Sequence, residues 1–189
     1  VMVTKLTDYI KVYDNVLSKP ICDGILSCLD RSDPEYIDRG QRPTFSDLNI
    51  SVRYLEKDPL WVSLYETLLQ TFQDAAKKYI DDLDVAPDFP DRYAFEQFRI
   101  KTYANNDYDQ FKDHVDVGNH DSAKRFLVLF LYLNDVEEGG ETSFPRLDYA
   151  VTPKCGRMLV FPPTWQYRHA GLPPVSGPKT IVGSYLHYL

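Results

Sequence analysis

The spacing of apolar residues changes character once along the chain. Up to about residue 82 the clear repeat is helical, and from Ala94 onward it becomes the two-residue alternation of strands. Tyr9 to Tyr13 reads as a short opening strand, and Asp14-Asn15 as a turn. Ser18 is placed to cap a helix with Pro20 in its first turn and Ile21, Ile25, Leu26 and Leu29 on its apolar side. Residues 30 to 44, charged and interrupted by Pro34, Gly40 and Pro43, read as a loop near a site mouth, followed by a strand around Phe45 to Tyr54. Asp58-Pro59 predicts the start of a second helix. Its apolar positions, from Trp61 through Leu64, Leu68, Phe72, Ala75 and Tyr79, continue to about Asp82 and suit packing against a sheet. Residues 84 to 91, with Pro87 and Pro90, form an internal linker.

The second half predicts strands. Ala94 to Tyr103 alternates, an acidic loop follows at Asn105 to Asp113, and His114 to Val117 is a short strand with Val115 turned to the core. Arg125 to Asn134 is nearly all apolar, as a strand buried on both faces requires. Glu138-Gly139-Gly140 turns the chain into Glu141 to Phe144. Tyr149 to Thr152 and Gly156 to Phe161 read as a hairpin joined by Pro153-Lys154-Cys155-Gly156, and Gln166 to Ala170 and Lys179 to Leu189 as closing strands. Helices followed by about eight short strands predict a mainly β fold, a jelly roll backed by helices. With 189 residues the expectation is a single domain over 1–189, its helical support mainly 15–82 and its jelly-roll core mainly 94–189.

Hydrophobic content of 43% and charged content of 26% are those of an ordinary globular chain. A net charge of −7 opposes sequence-independent binding to phosphate backbones, so no nucleic-acid partner is expected. The longest apolar run, Phe126 to Leu133, is too short to cross a bilayer, and no membrane partner is expected. Cys22, Cys28 and Cys155 form no Cys-x-x-Cys pair, which fits a reducing compartment. Val1 to Thr7 carries no signal pattern. The expected location is therefore cytoplasmic.

Against that background one constellation stands out. On a strand, residues two apart share a face, so His114 and Asp116 can offer an imidazole nitrogen and a carboxylate oxygen to one metal ion. With His169 from a distant strand they make two histidines and one carboxylate, the set that holds Fe(II) and leaves positions open. Lys179, ten positions on, is a cation able to hold the far carboxylate of a bound organic acid. A His-x-Asp triplet alone is common at polar strand ends. A structural zinc site would need a fourth protein ligand, for which His120 is the nearby candidate, and it reads as a loop residue.

Several segments resemble the catalytic domain of prolyl 4-hydroxylases: Phe98-Arg-Ile-Lys-Thr-Tyr103, Phe111-x-x-His114-x-Asp116, Phe130 to Pro145 with its Leu-Asn-Asp-Val-Glu-Glu-Gly-Gly-Glu-Thr run, and His169 to Lys179. The resemblance covers roughly residues 8 to 189 and is densest from 98 to 181. It implies a double-stranded β-helix with N-terminal helices packed on the major sheet. It also implies a dioxygenase using Fe(II), 2-oxoglutarate and O2, with ascorbate as a possible reductant, that releases succinate and CO2 as it hydroxylates a proline-containing peptide or protein. His114, Asp116 and His169 are implied as catalytic iron ligands, Lys179, Tyr103 and Thr142 as 2-oxoglutarate contacts, and Arg125, Tyr185 and His187 as substrate contacts. Tyr185 stands where many members have Trp, and the last strand's Tyr185 and His187 read equally well as surface residues. Two alternatives stay open: an oxygenase acting on lysyl or free amino-acid substrates, and a jelly-roll binding module without catalysis.

Overall fold

The computed structural model describes all 189 residues. Twelve strands and three α-helices follow in this order: β1 Lys11–Tyr13, α1 Lys19–Asp30, β2 Glu35–Asp38, β3 Thr44–Asn49, α2 Ile50–Leu55, α3 Val62–Leu83, β4 Tyr93–Phe95, β5 Arg99–Tyr103, β6 Phe111–His114, β7 Arg125–Tyr132, β8 Thr142–Phe144, β9 Tyr149–Val151, β10 Arg157–Phe161, β11 His169–Gly171 and β12 Lys179–Tyr188. The major sheet runs β1-β10-β7-β12-β5-β3-β2, with β4 also paired to β12, and the minor sheet runs β6-β11-β8-β9. All pairs are antiparallel. From β5 onward the chain passes between the two sheets and closes a jelly roll.

Strand parity divides the interior in two. On β7, Leu127, Leu129 and Leu131 join a core shared with α1 and α3, while Val128 and Tyr132 face the space between the sheets. β10 repeats this, with Met158 and Val160 toward the helices and Leu159 and Phe161 inward. The helix-side core is filled by Cys22, Ile25 and Leu29 of α1 and by Leu68, Phe72, Ala75, Ala76 and Tyr79 of α3. Phe72 sits edge-on to Phe98 and Phe95 at centroid distances of 4.9 and 6.1 Å, the favoured aromatic geometry. With one face committed to the helices, the major sheet offers its other face to a site.

Several boundaries differ from the expectations. The opening strand starts at Lys11, because Leu6–Tyr9 forms a 3-10 turn. Residues 30–44 are not all loop: Glu35–Asp38 pairs with β3 as the sheet edge. The strand expected to reach Tyr54 stops at Asn49, whose side chain accepts from the Val52 amide and starts α2. Asp58 accepts from the Leu60 amide in a turn, and α3 begins only at Val62. Ala94 to Tyr103 is two strands, β4 and β5. The segments at Tyr149 and Gly156 are not a hairpin. β9 pairs with β8 in the minor sheet, and β10 pairs with β1 and β7 in the major sheet, so the Pro-Lys-Cys-Gly turn carries the chain across the barrel. In α1, Ile21 is exposed and Cys22 is buried in its place. No helix is long and apolar enough to cross a membrane.

Candidate metal centre and active-site cleft

His114 is the last residue of β6 and His169 the first of β11, and the two strands place them directly opposite one another. Asp116 lies two residues past the end of β6, not within the strand, and is buried nonetheless. Val115 is only half-buried, so the expected turn of its side chain into the core does not occur. One donor atom from each of His114, Asp116 and His169 lies within 4.8 Å of the others. The Nε2 atoms of His114 and His169 are 3.6 and 3.4 Å from Asp116 Oδ1 and Oδ2.

Ring polarity is set from behind. The Nδ1 atoms of His114 and His169 lie 2.9 Å from the carbonyl oxygens of Lys112 and Tyr167. A carbonyl only accepts, so each Nδ1 carries the proton and each Nε2 lone pair faces the cluster. Burial pushes the His169 pKa down and keeps the ring neutral. Burial alone would raise Asp116, but His169, His114 and the Tyr185 hydroxyl outweigh it and hold the carboxyl at about 2. His169 Nε2 and Asp116 Oδ2 are buried without any hydrogen-bond partner. Unpartnered buried polar atoms are costly, and a divalent cation among them supplies the missing partner. The donors therefore fit the metal that the composition of the set suggests. His120 is fully exposed and its ring contacts only its neighbour Asp121, so no fourth protein ligand closes the set.

Aromatic rings wall the cluster. Phe111 stacks on His114 at 3.4 Å between centroids, and Phe161 and Phe144 lie 4.8 and 5.7 Å from His169. Behind the cluster Lys179 opens β12 opposite Tyr103, with its ammonium 4.6 Å from the Tyr103 ring centroid. Lys179 Nζ donates to the Gly140 carbonyl at 2.9 Å and reaches no carboxylate. Burial lowers its pKa to about 7. Thr142 Oγ1 lies 2.6 Å from the Tyr132 hydroxyl. The chain thus brings Lys179, Tyr103, Thr142 and the side chains of His114, Asp116 and His169 around one chamber.

On the outward side lies a cleft of about 910 Å³. Arg125, Tyr185 and His187 all line it. Arg125 makes a two-pronged pair with Glu96 at 2.8 and 2.9 Å, donates to the Asp116 carbonyl at 3.1 Å, and lies 4.0 Å over the Tyr185 ring. The Tyr185 hydroxyl donates to Asp116 Oδ1 at 2.9 Å, and burial first of all keeps that hydroxyl protonated. His187 Nδ1 is 3.6 Å from Glu96 and otherwise unpartnered. Tyr185 and His187 are therefore walls of the cleft and not free surface residues.

Sequence reasoning passed over Lys101 and Tyr132. Lys101 lies between Arg99 and Tyr103 on the inward face of β5, and the same two-residue parity that singles out Tyr103 could have found it. Tyr132 ends the long apolar run of β7, where nothing in the spacing marks its hydroxyl as facing Thr142.

A sequence model of the 2OG-Fe(II) oxygenase superfamily matches residues 98–187. The chain is 26% identical over 153 residues to prolyl 4-hydroxylase subunit alpha-1 of Gallus gallus, covering 72% of this chain and 28% of that protein. It is 28% identical over 211 residues to prolyl 4-hydroxylase 2 of Arabidopsis thaliana, covering 93% and 66%. It therefore spans less than two thirds of the length of either curated relative. Among solved structures, the viral collagen prolyl hydroxylase of Paramecium bursaria Chlorella virus-1, in complex with 2OG, superposes with a TM-score of 0.65 at 22% identity, covering 96% of both chains. That likeness establishes a shared jelly-roll fold.

Proposed function

We infer that this chain, whose residues 98–187 form a 2OG-Fe(II) oxygenase superfamily domain, is a prolyl 4-hydroxylase-like dioxygenase. Its reaction couples oxidation of 2-oxoglutarate by O2, giving succinate and CO2, to hydroxylation of a peptidyl proline. Residues 1–189 act together as its catalytic domain. The observation that carries the reading is the pair of orphaned buried donors, Asp116 Oδ2 and His169 Nε2, next to a buried Lys179 that meets no carboxylate.

His114, Asp116 and His169 would hold Fe(II), which when bound supplies the redox chemistry with O2. The protein's own work is positioning. The Lys112 and Tyr167 carbonyls fix the ring tautomers, and the Tyr185 hydroxyl fixes Asp116 by occupying one of its oxygens. Lys179 binds the distal carboxylate of 2-oxoglutarate, a charge-assisted contact contributing about 1.5–3 kcal/mol. Tyr103 flanks that contact, and Tyr132 orients the Thr142 hydroxyl beside it. Phe111, Phe144 and Phe161 exclude water around the metal donors. The peptide lies in the outer cleft against Arg125, Tyr185 and His187.

The test is to incubate the protein with Fe(II), 2-oxoglutarate and a panel of proline-containing peptides under air, then assay succinate and search the peptides for hydroxyproline by mass spectrometry. Equimolar succinate and hydroxyproline is the expected outcome. Succinate without modified proline overturns the substrate assignment, and no succinate in any condition overturns the oxygenase.

A further inference from the structure

The outer cleft and the inner chamber meet at a neck formed by Lys101, Phe111, Phe130 and Tyr185, the residues common to both. Lys101 is the charged one. It sits on the inward face of β5, opposite Ile181 of β12 on one side and Asp47 of β3 on the other. Arg99 holds Oδ2 of the Asp47 carboxylate, and Lys101 forms no ion pair with Asp47, which attracts it only from across the strands. Lys101 Nζ makes no ion pair and no hydrogen bond to a protein atom; the Phe45 ring lies 5.1 Å away, and the Asp47 and Asp116 carboxylates attract it only from beyond contact. A half-buried ammonium left this way has lost part of its hydration without gaining a contact partner, a cost an incoming anion would offset.

The surroundings extend the pattern. Of the cleft's cations, Arg125 is matched to Glu96 and Arg99 to Asp47. That leaves half-buried Lys101 and exposed Arg39 and Lys124 without carboxylate partners, against one acid with no Lys or Arg partner, the fully exposed Asp121. A chain with a net charge of −7 has thus concentrated surplus positive charge at the mouth of its site. Such a cleft focuses a field on its ligand and selects against cationic ones.

We propose that Lys101 receives a substrate carboxylate at the neck, and that the substrate is an acidic peptide with Asp or Glu beside the target residue. Arg39 and Lys124, further out, meet additional acidic residues of the same chain. Several cations spread along an open cleft suit an extended peptide better than a single free amino acid. This rests on the oxygenase reading for what happens at the metal, but binding alone can test it.

Two fluorescein-labelled alanine-rich decapeptides with one central proline are compared, one with glutamate and the other with glutamine on both sides of the proline. Affinity for the full chain is measured by anisotropy with Mn(II) and 2-oxoglutarate and without turnover. The glutamate peptide is expected to bind about tenfold more tightly at low salt, the advantage shrinking as salt screens the pair. Lys101→Gln is expected to erase most of that advantage, and Lys101→Arg to keep part of it. Equal binding of the two peptides, or an advantage untouched in Lys101→Gln, overturns the proposal. It also falls if Lys101→Gln loses 2-oxoglutarate binding, which would assign the ammonium to the co-substrate. Displacement of the peptide by equimolar free proline or by an unrelated oligonucleotide would overturn the choice of ligand. A glutamate preference that survives while no peptide gains hydroxyproline would sink the prolyl assignment and leave this one standing.

Discussion

The two oxygens of Asp116 face different partners: Oδ1 accepts from the Tyr185 hydroxyl at 2.9 Å, and Oδ2 is left bare toward His169. Such outer-shell bonds orient a metal-binding carboxylate, and losing one costs about 10–100-fold in metal affinity. Tyr185→Phe should therefore weaken Mn(II) binding by about that factor while leaving the ring stacked under Arg125, as a calorimetric titration would show. A second prediction concerns Lys179, whose pKa burial lowers to about 7. In the proposed role its charged form binds the dicarboxylate, so affinity should be full well below pH 7 and decline as pH rises through it. The Kd for 2-oxoglutarate should rise up to about tenfold per pH unit above 7. Lys179→Arg, charged throughout, should abolish that slope, and a flat Kd between pH 6 and 9 in the parent would refute the assignment.

At the scale of elements, parity made much of the site legible. The alternation of Arg99-Ile100-Lys101-Thr102-Tyr103 and the all-apolar run from Phe126 are local signals, and both strands form as they imply. Asp116 illustrates a different outcome: its pairing with His114 was legible, but it holds its place from a loop through Tyr185. The false hairpin at 149–161 failed because partner choice across a barrel is not encoded in neighbouring residues. The start of α3 was misplaced because Asp58 uses its cap acceptor in a preceding turn. Helix support and site are separable in energy. Phe72→Ala should cost about 3–5 kcal/mol of stability through the cavity it leaves among Phe95 and Phe98, measured by urea unfolding, yet spare Mn(II) affinity in the folded fraction. Gly139 joins the two scales: its φ is +77° and an added Cβ would lie 2.6 Å from the Pro173 carbonyl. Gly139→Ala should displace Gly140, whose carbonyl holds Lys179, and so raise the Kd for 2-oxoglutarate as well as lower the melting temperature.

For the whole molecule, metal and fold are linked. The three donors lie on and beside β6 and β11, neighbouring strands of the four-stranded minor sheet. A cation bound only by the folded state at 100 times its Kd stabilises by about 2.7 kcal/mol, or about 5–10 °C in a chain of this size. Mn(II) should therefore raise the melting temperature, chelator should reverse it, and His169→Ala should remove the response.

β12 spans Lys179 to Tyr188 without interruption and carries Lys179, the proposed co-substrate anchor, at one end and the cleft wall at the other. It works as a ruler. At about 3.3 Å per residue, the six steps from Lys179 to Tyr185 set a fixed span of about 20 Å, with the three metal-donor side chains alongside it. His187, near the outer end, can be exchanged to suit a new substrate without disturbing Lys179 at the inner end, whereas Tyr185 is tied to Asp116. A single residue inserted after Ile181 would do the opposite: it would turn Tyr185 and His187 to the helix side and leave Lys179 in its chamber beside a cleft whose far wall had been reversed.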